Sequence, residues 1–310
     1  MTIAFISHPD CLLHNMGNYH PESPERLKVI DEAIDKNPLA AQIKRYQAPL
    51  ATKEQLLCVH DERYVNFVFQ SSPKEGSVVL DPDVVMNPSS LQAALRAAGA
   101  AVYAVELVMN EEAESAFCNV RPPGHHAERN KAMGFCLFNN VAVAVAHALN
   151  AFKLKKVAII DFDVHHGNGT EHIFKNNEQV LYCSTFEHPF YPFCGTETHS
   201  KHIINIPLPA GTTGSLFREK IEELWLNQVR EFQPDMIFFS AGFDAYEEDN
   251  MADLLLKDED YFWVTQKIKE IADECCQGRM VSALEGGYHL PGLGLCAVAH
   301  LRGLLSSPAD

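Results

Sequence analysis

The sequence predicts an α/β fold in which a single doubly wound, mainly parallel β-sheet is flanked by helices. Short, continuous apolar runs recur along the 310 residues, as in strands that are buried on both faces of a parallel sheet. Helical segments follow most of these runs, and this alternation is typical of doubly wound sheets. No linker or change in composition divides the chain, so residues 1–310 are predicted to form one domain.

The predicted strands are six apolar runs. They lie at residues 4–7, 116–120, 157–161, 180–184, 236–240 and 280–284. Polar side chains follow several of these runs directly. In doubly wound sheets, ligands bind beyond the carboxyl ends of the strands. We therefore expect the functional site at those ends.

The predicted helices lie between the strands, at residues 25–36, 89–109, 140–152, 216–232, 259–276 and 291–305. The first has Ser23 as its N-cap and Pro24 at its first helical position, and both residue types favour a helix start. The second is rich in alanine, and its apolar residues recur at helical spacing. The tail from Ser306 onwards is predicted to fray.

Charge and composition exclude several classes of protein. Lys and Arg total 25 against 41 for Asp and Glu, and the net charge of −16 argues against a nucleic-acid partner, which would require a basic face. The same charge suits a cationic substrate or product without selecting one. No apolar run reaches about 18 residues and the N-terminus has no signal-peptide pattern, so no membrane partner is expected. Nine cysteines without a CxxC pair are typical of a reducing cytosol, so the expected location is cytoplasmic.

The motif DFDVHHGNG at residues 161–169 follows an apolar run directly. Alternate residues of an extended chain share a face, so Asp161, Asp163 and His165 are predicted to point together. Another run ends at Asp244 and adds a carboxylate. Taken alone, Asp244 could equally well cap a helix. Carboxylates combined with an imidazole, with a position left for water, indicate a catalytic zinc site.

Two further polar motifs follow predicted strands. In RPPGHHA, at residues 121–127, the Pro-Pro-Gly turn presents His125 and His126 as a tandem pair. Such a pair could be a chance surface feature, but the rigid turn at a strand end favours a functional one. In EGGY, at residues 285–288, two glycines allow a ligand to approach the backbone closely, just before the hydroxyl of Tyr288.

The order RPPGHHA, GFCLFNN, DFDVHHGNG, SAGFDA, EGGY resembles that of the histone deacetylase family within the arginase/deacetylase superfamily. The resemblance extends from about His8 to the last predicted helix. It is closest to class II-like and bacterial deacetylases and amidohydrolases, because Asn168 stands where class I enzymes have Asp. The resemblance implies a zinc-dependent deacetylase domain with the arginase/deacetylase fold. Its activity would be removal of an acetyl or other acyl group from an amine such as the lysine side chain.

The resemblance also implies the metal ligands. Asp163, His165 and Asp244 would bind one Zn²⁺ per chain. A structural K⁺ would lie nearby, held by Asp161, Ser184 and the backbone at Asp163 and His165.

The catalytic groups implied by the resemblance are the tandem histidines and Tyr288. His126 would be the general base for the attacking water, and His125 its electrostatic or acid partner. Asp161 would bond to His125 and Asn168 would orient His126. Tyr288 would donate to the acyl oxygen as it becomes an oxyanion. Because Asp161 is charged and Asn168 is neutral, we predict that His125 holds a proton more strongly than His126.

Substrate-binding residues are implied in the same way. Gly134 and Phe135, with Tyr191 opposite, would line a narrow acyl-chain tunnel. Most relatives have Phe at the position of Tyr191, so the hydroxyl adds a polar tip. Spermidine-preferring relatives carry an acidic gate at the position that Met251 occupies here, and this residue speaks against a polyamine gate.

The sequence leaves the mouth of the site open. Either Asp81 or Asp83 would bond to the substrate backbone at the rim. The acidic run of residues 247–249 forms either an acidic rim or a solvated loop. The short loops leave the mouth exposed or completed by a neighbouring subunit of a homo-oligomer.

Three alternative functions are considered. The first is deacetylation of an acetylpolyamine or another small acylated amine. A binuclear manganese ureohydrolase needs a second bridging carboxylate, but Ala245 and Tyr246 follow Asp244 instead. A non-enzymatic acyl-ligand sensor would be indicated by loss of Tyr288 or of a zinc ligand, and none of these residues is lost.

Overall fold

The computed structural model describes residues 2–198 and 200–306, so residues 307–310 of the tail predicted to fray lie outside the described residues. The strands within them are β1 (Ile3–Ser7), β2 (Ile43–Gln47), β3 (Val78–Asp81), β4 (Val84–Met86), β5 (Ser115–Cys118), β6 (Val157–Asp161), β7 (Val180–Glu187), β8 (Ile203–Leu208), β9 (Met236–Ala241) and β10 (Met280–Leu284). Eight form one sheet in the order β2-β1-β5-β10-β9-β6-β7-β8, and each neighbouring pair is parallel. The remaining two, β3 and β4, form an antiparallel hairpin. The predicted α/β fold with a mainly parallel sheet is confirmed.

The helices of the described residues are α1 (Glu25–Asp35), α2 (Lys53–Leu57), α3 (Glu62–Ser71), α4 (Ser90–Met109), α5 (Asn140–Ala151), α6 (Asn168–Phe174), α7 (Gly214–Ile221), α8 (Asn227–Phe232), α9 (Asp258–Cys276) and α10 (Leu290–Leu305). Two short 3₁₀ helices, Pro9–Leu12 and Pro38–Gln42, precede α1 and β2. A π-helical segment, Glu222–Leu226, joins α7 to α8.

Two groups of helices cover the sheet. Helices α4 and α5 pack on each other and on the central strands, whereas α1, α9 and α10 form the second group. By length and composition α4 could span a membrane, but 72% of its most apolar window is buried inside the fold, as is usual for a core helix. The apolar faces of both groups and the sheet strands belong to one continuous buried cluster.

The structure corrects the predicted elements at three places. The edge strands β2 and β8, the β3–β4 hairpin and the short helices α2, α3 and α6 had not been predicted. The helix expected at residues 216–232 is interrupted by the π-helical segment. Pro24 itself is the N-cap of α1 and no side chain caps the helix, so the predicted Ser23 cap is wrong.

The strand order gathers the polar motifs at the centre of the sheet. Strands β10 and β9 lie between β5 and β6, so the chain crosses over two strands between β5 and β6. The motifs of residues 121–127, 161–169, 240–245 and 285–288 therefore leave four adjacent parallel strands at the same edge. This arrangement is a topological switch point, where doubly wound sheets bind ligands.

Candidate active site

A carboxylate–imidazole–carboxylate cluster lies at the ends of β6 and β9. Asp163, His165 and Asp244 are buried, and one ligand atom of each lies within 4.8 Å of the others. His165 Nδ1 is 3.1 Å from Asp163 Oδ1 and 3.1 Å from Asp244 Oδ2. Zinc binds imidazole nitrogen and carboxylate oxygen at about 2.0–2.2 Å, and ligand atoms about 3.3 Å apart then fit around one ion. The predicted ligand set therefore comes together with a spacing that suits a single metal ion.

The charges of this cluster favour a bound cation. Burial would raise the pKa of Asp163, but the neighbouring His125 and His165 hold it well below its usual range. Burial and the Asp163 carboxylate raise the pKa of Asp244 to about 6. Burial opposes a charge on His165, yet its two carboxylate partners raise its pKa to about 10. Two buried carboxylates thus demand a positive charge, which a bound metal ion can supply in place of a proton.

Gly286 lies against the two carboxylates of the cluster, where there is no room for a side chain. A Cβ atom at Gly286 would lie 2.0 Å from Asp244 Oδ2 and 2.6 Å from Asp163 Oδ2. The Gly286 amide also donates to Asp163 Oδ2 at 2.8 Å. A larger residue would displace both carboxylates, so the first glycine of EGGY serves the cluster and not only a turn.

Asp161 lies beside the cluster but turns towards the tandem histidines. Strand β6 ends at Asp161 and the chain then bends, so the alternation predicted for Asp161, Asp163 and His165 does not continue. Asp161 Oδ2 is 3.0 Å from His125 Nδ1 and accepts the Tyr182 hydroxyl at 2.9 Å. Its other oxygen accepts the Asp163 amide at 3.2 Å.

The two histidines lie side by side in unlike surroundings. Their ring centroids are 4.1 Å apart, and His126 Nδ1 is 2.8 Å from Asn168 Oδ1. Burial lowers the pKa of His125, but the carboxylates of Asp161 and Asp163 outweigh it and raise that pKa well above its usual value. Burial and the charges of His125 and His165 lower the pKa of His126 well below its usual value. His126 is therefore the neutral member of the pair.

Glu285 fixes the turn that carries the histidines. Its buried carboxylate accepts the amide of Gly124 at 2.6 Å and the amide of His125 at 3.1 Å. The sequence contained this residue within EGGY, but no role had been predicted for it. The two amides that it accepts belong to residues 124 and 125, more than 150 residues away along the chain. No local sequence pattern could therefore reveal these hydrogen bonds.

A cavity of about 230 Å³ leads to this cluster. It is lined by Asp83, Pro123, His125, His126, Gly134, Phe135, Asp163, His165, Phe190, Tyr191, Met251, Gly286 and Tyr288. All four residues predicted to bind the substrate, including Met251 at the gate position, are in this lining. The rings of Phe135 and Tyr288 meet edge to face with their centroids 6.1 Å apart.

The wall formed by Gly134 and Phe135 has an unusual backbone. Gly134 has φ +54°, and a Cβ atom there would lie 2.3 Å from Cδ2 of His126. Phe135 has φ +66°, which is uncommon for a residue with a large side chain. Its amide donates to the Asp83 carbonyl at 3.1 Å. The hairpin loop and the cavity wall are therefore tied together.

The structure distinguishes the residues proposed for the mouth. Asp83 lines the cavity, whereas Asp81 Oδ2 lies 3.5 Å from Lys131 Nζ. Asp249 is buried, so the acidic run is neither a uniform rim nor a solvated loop. Its carboxylate accepts the amides of Met251 at 3.0 Å, Tyr288 at 2.5 Å and His289 at 2.9 Å. This bond set, which the sequence did not reveal, ties Met251 to the segment of Tyr288.

The residues predicted to hold potassium lie behind the cluster. Asp161 and Ser184 are paired positions on β6 and β7. Ser184 Oγ is 3.2 Å from Nδ1 of His166, whose Nε2 is 2.8 Å from Glu171 Oε2. His166 thus contacts Ser184 and Glu171 rather than the metal-ligand cluster.

Comparison with known proteins shows which chains and structures this protein is similar to. A family model described as the histone deacetylase domain matches residues 20–304. A chain named probable deacetylase from Archaeoglobus fulgidus is 36% identical, over 94% of this chain and 83% of its own length. A histone deacetylase-like amidohydrolase from Pseudomonas aeruginosa is 33% identical, over 94% of this chain and 79% of its own length. Among solved structures, the HDA15 HD domain superposes with a TM-score of 0.89 at 32% identity, over 98% of this chain and 90% of that chain.

Proposed function

Since this chain belongs to the histone deacetylase family, we propose that it is a zinc-dependent amidohydrolase that removes acetyl or other acyl groups from an amine such as the lysine side chain. The observation that carries the proposal is the buried Asp163–His165–Asp244 cluster at the bottom of an apolar cavity, next to the tandem histidines. Family membership supports hydrolysis of an amide bond, and the donor set supports zinc.

When bound, Zn²⁺ would lower the pKa of a water molecule towards about 7 and polarise the acyl carbonyl. Asp163, His165 and Asp244 would hold the ion. Asp161 and Ser184, with the backbone at Asp163 and His165, would hold the proposed structural K⁺ behind them.

The chain's own groups move the protons. Neutral His126 takes a proton from the attacking water at Nε2, because its Nδ1 is engaged by Asn168. His125 carries a positive charge beside Asp161 and stabilises the negative charge that develops on the substrate. A histidine of the pair then gives a proton to the departing amine.

Tyr288 supplies the hydrogen bond to the acyl oxygen. Burial raises its pKa well above the usual value, so the hydroxyl keeps its proton and can donate. Arg26 lies 4.9 Å from the ring centroid of Tyr288, and its guanidinium donates to the carbonyls of Gly287 and Glu285. The segment that carries Tyr288 is therefore held from both sides, by Arg26 and by Asp249.

The cavity lining supports an acyl-lysine type of substrate over a polyamine. Phe135, Tyr191 and Met251 form apolar walls that suit an acyl chain and a methylene stem. Asp83 is the carboxylate at the mouth and could accept a backbone amide of a peptide. Met251 brings no charge to the place where a polyamine's second ammonium would need one.

A substrate panel on metal-loaded protein tests the proposal. The panel contains acyl-lysine peptides, acetylpolyamines and amines with longer acyl chains. We expect turnover of acyl-lysine peptides, its loss on chelation, and its recovery with Zn²⁺. Full activity in protein shown to be free of metal would refute the zinc mechanism. Faster turnover of acetylpolyamines than of acyl-lysine peptides would indicate that the substrate is an acetylpolyamine. A zinc-loaded protein that is inert towards the whole panel would indicate a sensor.

A further inference from the structure

Glu128 lies two residues beyond the tandem histidines and contacts the amide that orients His126. Its Oε1 accepts the side-chain amide of Asn168 at 2.9 Å. Its Oε2 is 3.2 Å from Nδ1 of His172, and the Glu128 side chain is 27% exposed. The contacts therefore run from a half-buried carboxylate at the surface, through Asn168, to the buried imidazole of His126.

The chemistry of the acceptors decides which way the Asn168 amide faces. A carboxylate can accept hydrogen bonds but cannot donate them, and a thioether is also only an acceptor. The Asn168 nitrogen has one of each as a partner, Glu128 Oε1 at 2.9 Å and Met133 Sδ at 3.2 Å. A flipped amide would place its oxygen against a carboxylate oxygen. Glu128 therefore forces the Asn168 oxygen towards His126.

The orientation of the amide in turn fixes the imidazole tautomer. Asn168 Oδ1 can only accept, so His126 Nδ1, 2.8 Å away, must carry the hydrogen. The lone pair of a neutral ring is then on Nε2, on the side away from Asn168. A general base needs its lone pair there, because His126 lines the cavity.

The backbone of Glu128 is held independently of this contact. Its amide donates to the Lys131 carbonyl at 2.9 Å, and its carbonyl lies 2.9 Å from Nδ1 of His60. His60 Nε2 accepts the amide of Asn139 at 3.0 Å, so this ring bridges two segments. The carboxylate is thus presented by a fixed backbone, as a positioning residue requires.

We propose that Glu128 is a positioning residue that selects the Nδ1–H tautomer of His126 through Asn168. The proposal rests on the proposed function, in which His126 is the general base. Glu128 thus affects kcat through Asn168 and His126, without contacting the substrate. Outer partners that orient metal-ligating side chains are typically worth about 10–100-fold in metal affinity or activity, and we expect an effect of that size here.

The kinetic test uses two substitutions and their combination. Glu128→Ala is expected to lower kcat about 10–100-fold with KM and zinc content unchanged. Asn168→Asp places a second carboxylate against Glu128 and is expected to lower kcat further. Adding Glu128→Gln to Asn168→Asp gives the new carboxylate an amide donor, and we expect kcat to recover at least about tenfold over Asn168→Asp alone. Glu178→Ala, at an exposed glutamate on the loop after α6, is the matched control and should behave like the wild type.

A spectroscopic arm separates this inference from the proposed function. In metal-free protein labelled with ¹⁵N-histidine, His126 should show a protonated Nδ1 in the wild type and a mixture of tautomers in Glu128→Ala. The signal is assigned from its loss in His126→Gln. Wild-type tautomer and wild-type kcat in Glu128→Ala, or no recovery in the double variant, would overturn the role of Glu128. If the wild type hydrolyses no acylated amine, the proposed function fails, and the tautomer measurement still decides the role of Glu128.

Discussion

The hydroxyl of Tyr288 and the imidazole of His126 approach the same cavity from different strands. Tyr288 follows β10 and His126 follows β5, two neighbouring strands of the sheet. In the proposed mechanism, Tyr288 donates a hydrogen bond and His126 accepts a proton. Their opposite behaviour follows from burial, which keeps the phenol protonated and the second histidine neutral. Single residues thus gain their roles from the environment that the fold provides.

Tyr288→Phe removes the donor while keeping the ring that packs on Phe135. We expect kcat to fall about 10²–10³-fold, because this is the usual loss when one oxyanion donor is removed. KM and zinc stoichiometry should stay close to the wild-type values, since Tyr288 is outside the metal-ligand cluster. Steady-state kinetics and metal analysis on the purified variant check both expectations. A variant that keeps wild-type kcat would show that another group donates to the acyl oxygen.

At the scale of secondary-structure elements, the central strands could be predicted because burial on both faces leaves a continuous apolar run. Strands β5, β6, β9 and β10 are fully buried along their length and lie at the predicted runs, although β5 ends at Cys118 rather than at residue 120. Strand β2 is half exposed and carries Lys44 and Arg45, so its composition resembles that of a surface loop. Edge strands commonly have such charges, which discourage pairing with other chains.

The residues of the candidate metal cluster could be predicted because each comes shortly after a strand or within a short motif. Asp249 and Glu285 could not, because each acts by accepting backbone amides from a remote segment. An acceptor of backbone amides needs only a carboxylate at the right place, and the sequence contains many carboxylates. Contacts between segments that are far apart along the chain leave no local pattern in the sequence, whereas polar residues that follow apolar strands do.

Asp249 joins the loop after β9 to the start of α10. We expect Asp249→Ala to lower kcat and raise KM, because Met251 and the backbone of Tyr288 both lose their acceptor. Asp249→Asn keeps one oxygen acceptor, so its kcat and KM should lie between those of the wild type and those of Asp249→Ala. Zinc content should be unchanged in both variants. Kinetics with an acyl-lysine peptide check this ordering, and equal constants in all three proteins would show that the loop does not position the wall and the hydroxyl.

At the scale of the whole molecule, one buried histidine connects α9 and α10 to the sheet. His300 on α10 lies within hydrogen-bond distance of Thr265 on α9, at 2.7 Å, and of Ser282 on β10, at 2.8 Å. The Thr265 hydroxyl donates to the Tyr261 carbonyl, so it accepts from His300 Nδ1. In the neutral ring Nε2 then accepts from the Ser282 hydroxyl, so both nitrogens have hydrogen-bond partners without a charge on the ring.

Burial lowers the pKa of His300 to about 3. In the unfolded chain a histidine has a pKa of about 6.5 and binds a proton that the folded chain excludes. The unfolded state therefore binds more protons as the pH falls below 6.5, and the stabilisation by neutral His300 decreases down to the folded pKa. The loss approaches about 1.4 kcal/mol per pH unit below pH 6.5 and amounts to about 2 kcal/mol between pH 7.5 and pH 5.

His300→Gln isolates this contribution from the other titrating groups, because they remain in both proteins. We expect the variant to be less stable than the wild type at pH 7.5, since glutamine fills the site imperfectly. On acidification to pH 5 the difference in the free energy of unfolding should shrink by about 2 kcal/mol, because only the wild type has a histidine there to protonate on unfolding. Urea unfolding across this pH range measures the difference. Ser282→Ala keeps the titrating ring, so its free energy of unfolding should change with pH in parallel with that of the wild type. If the difference between His300→Gln and the wild type does not change with pH, then His300 can be protonated in the folded protein.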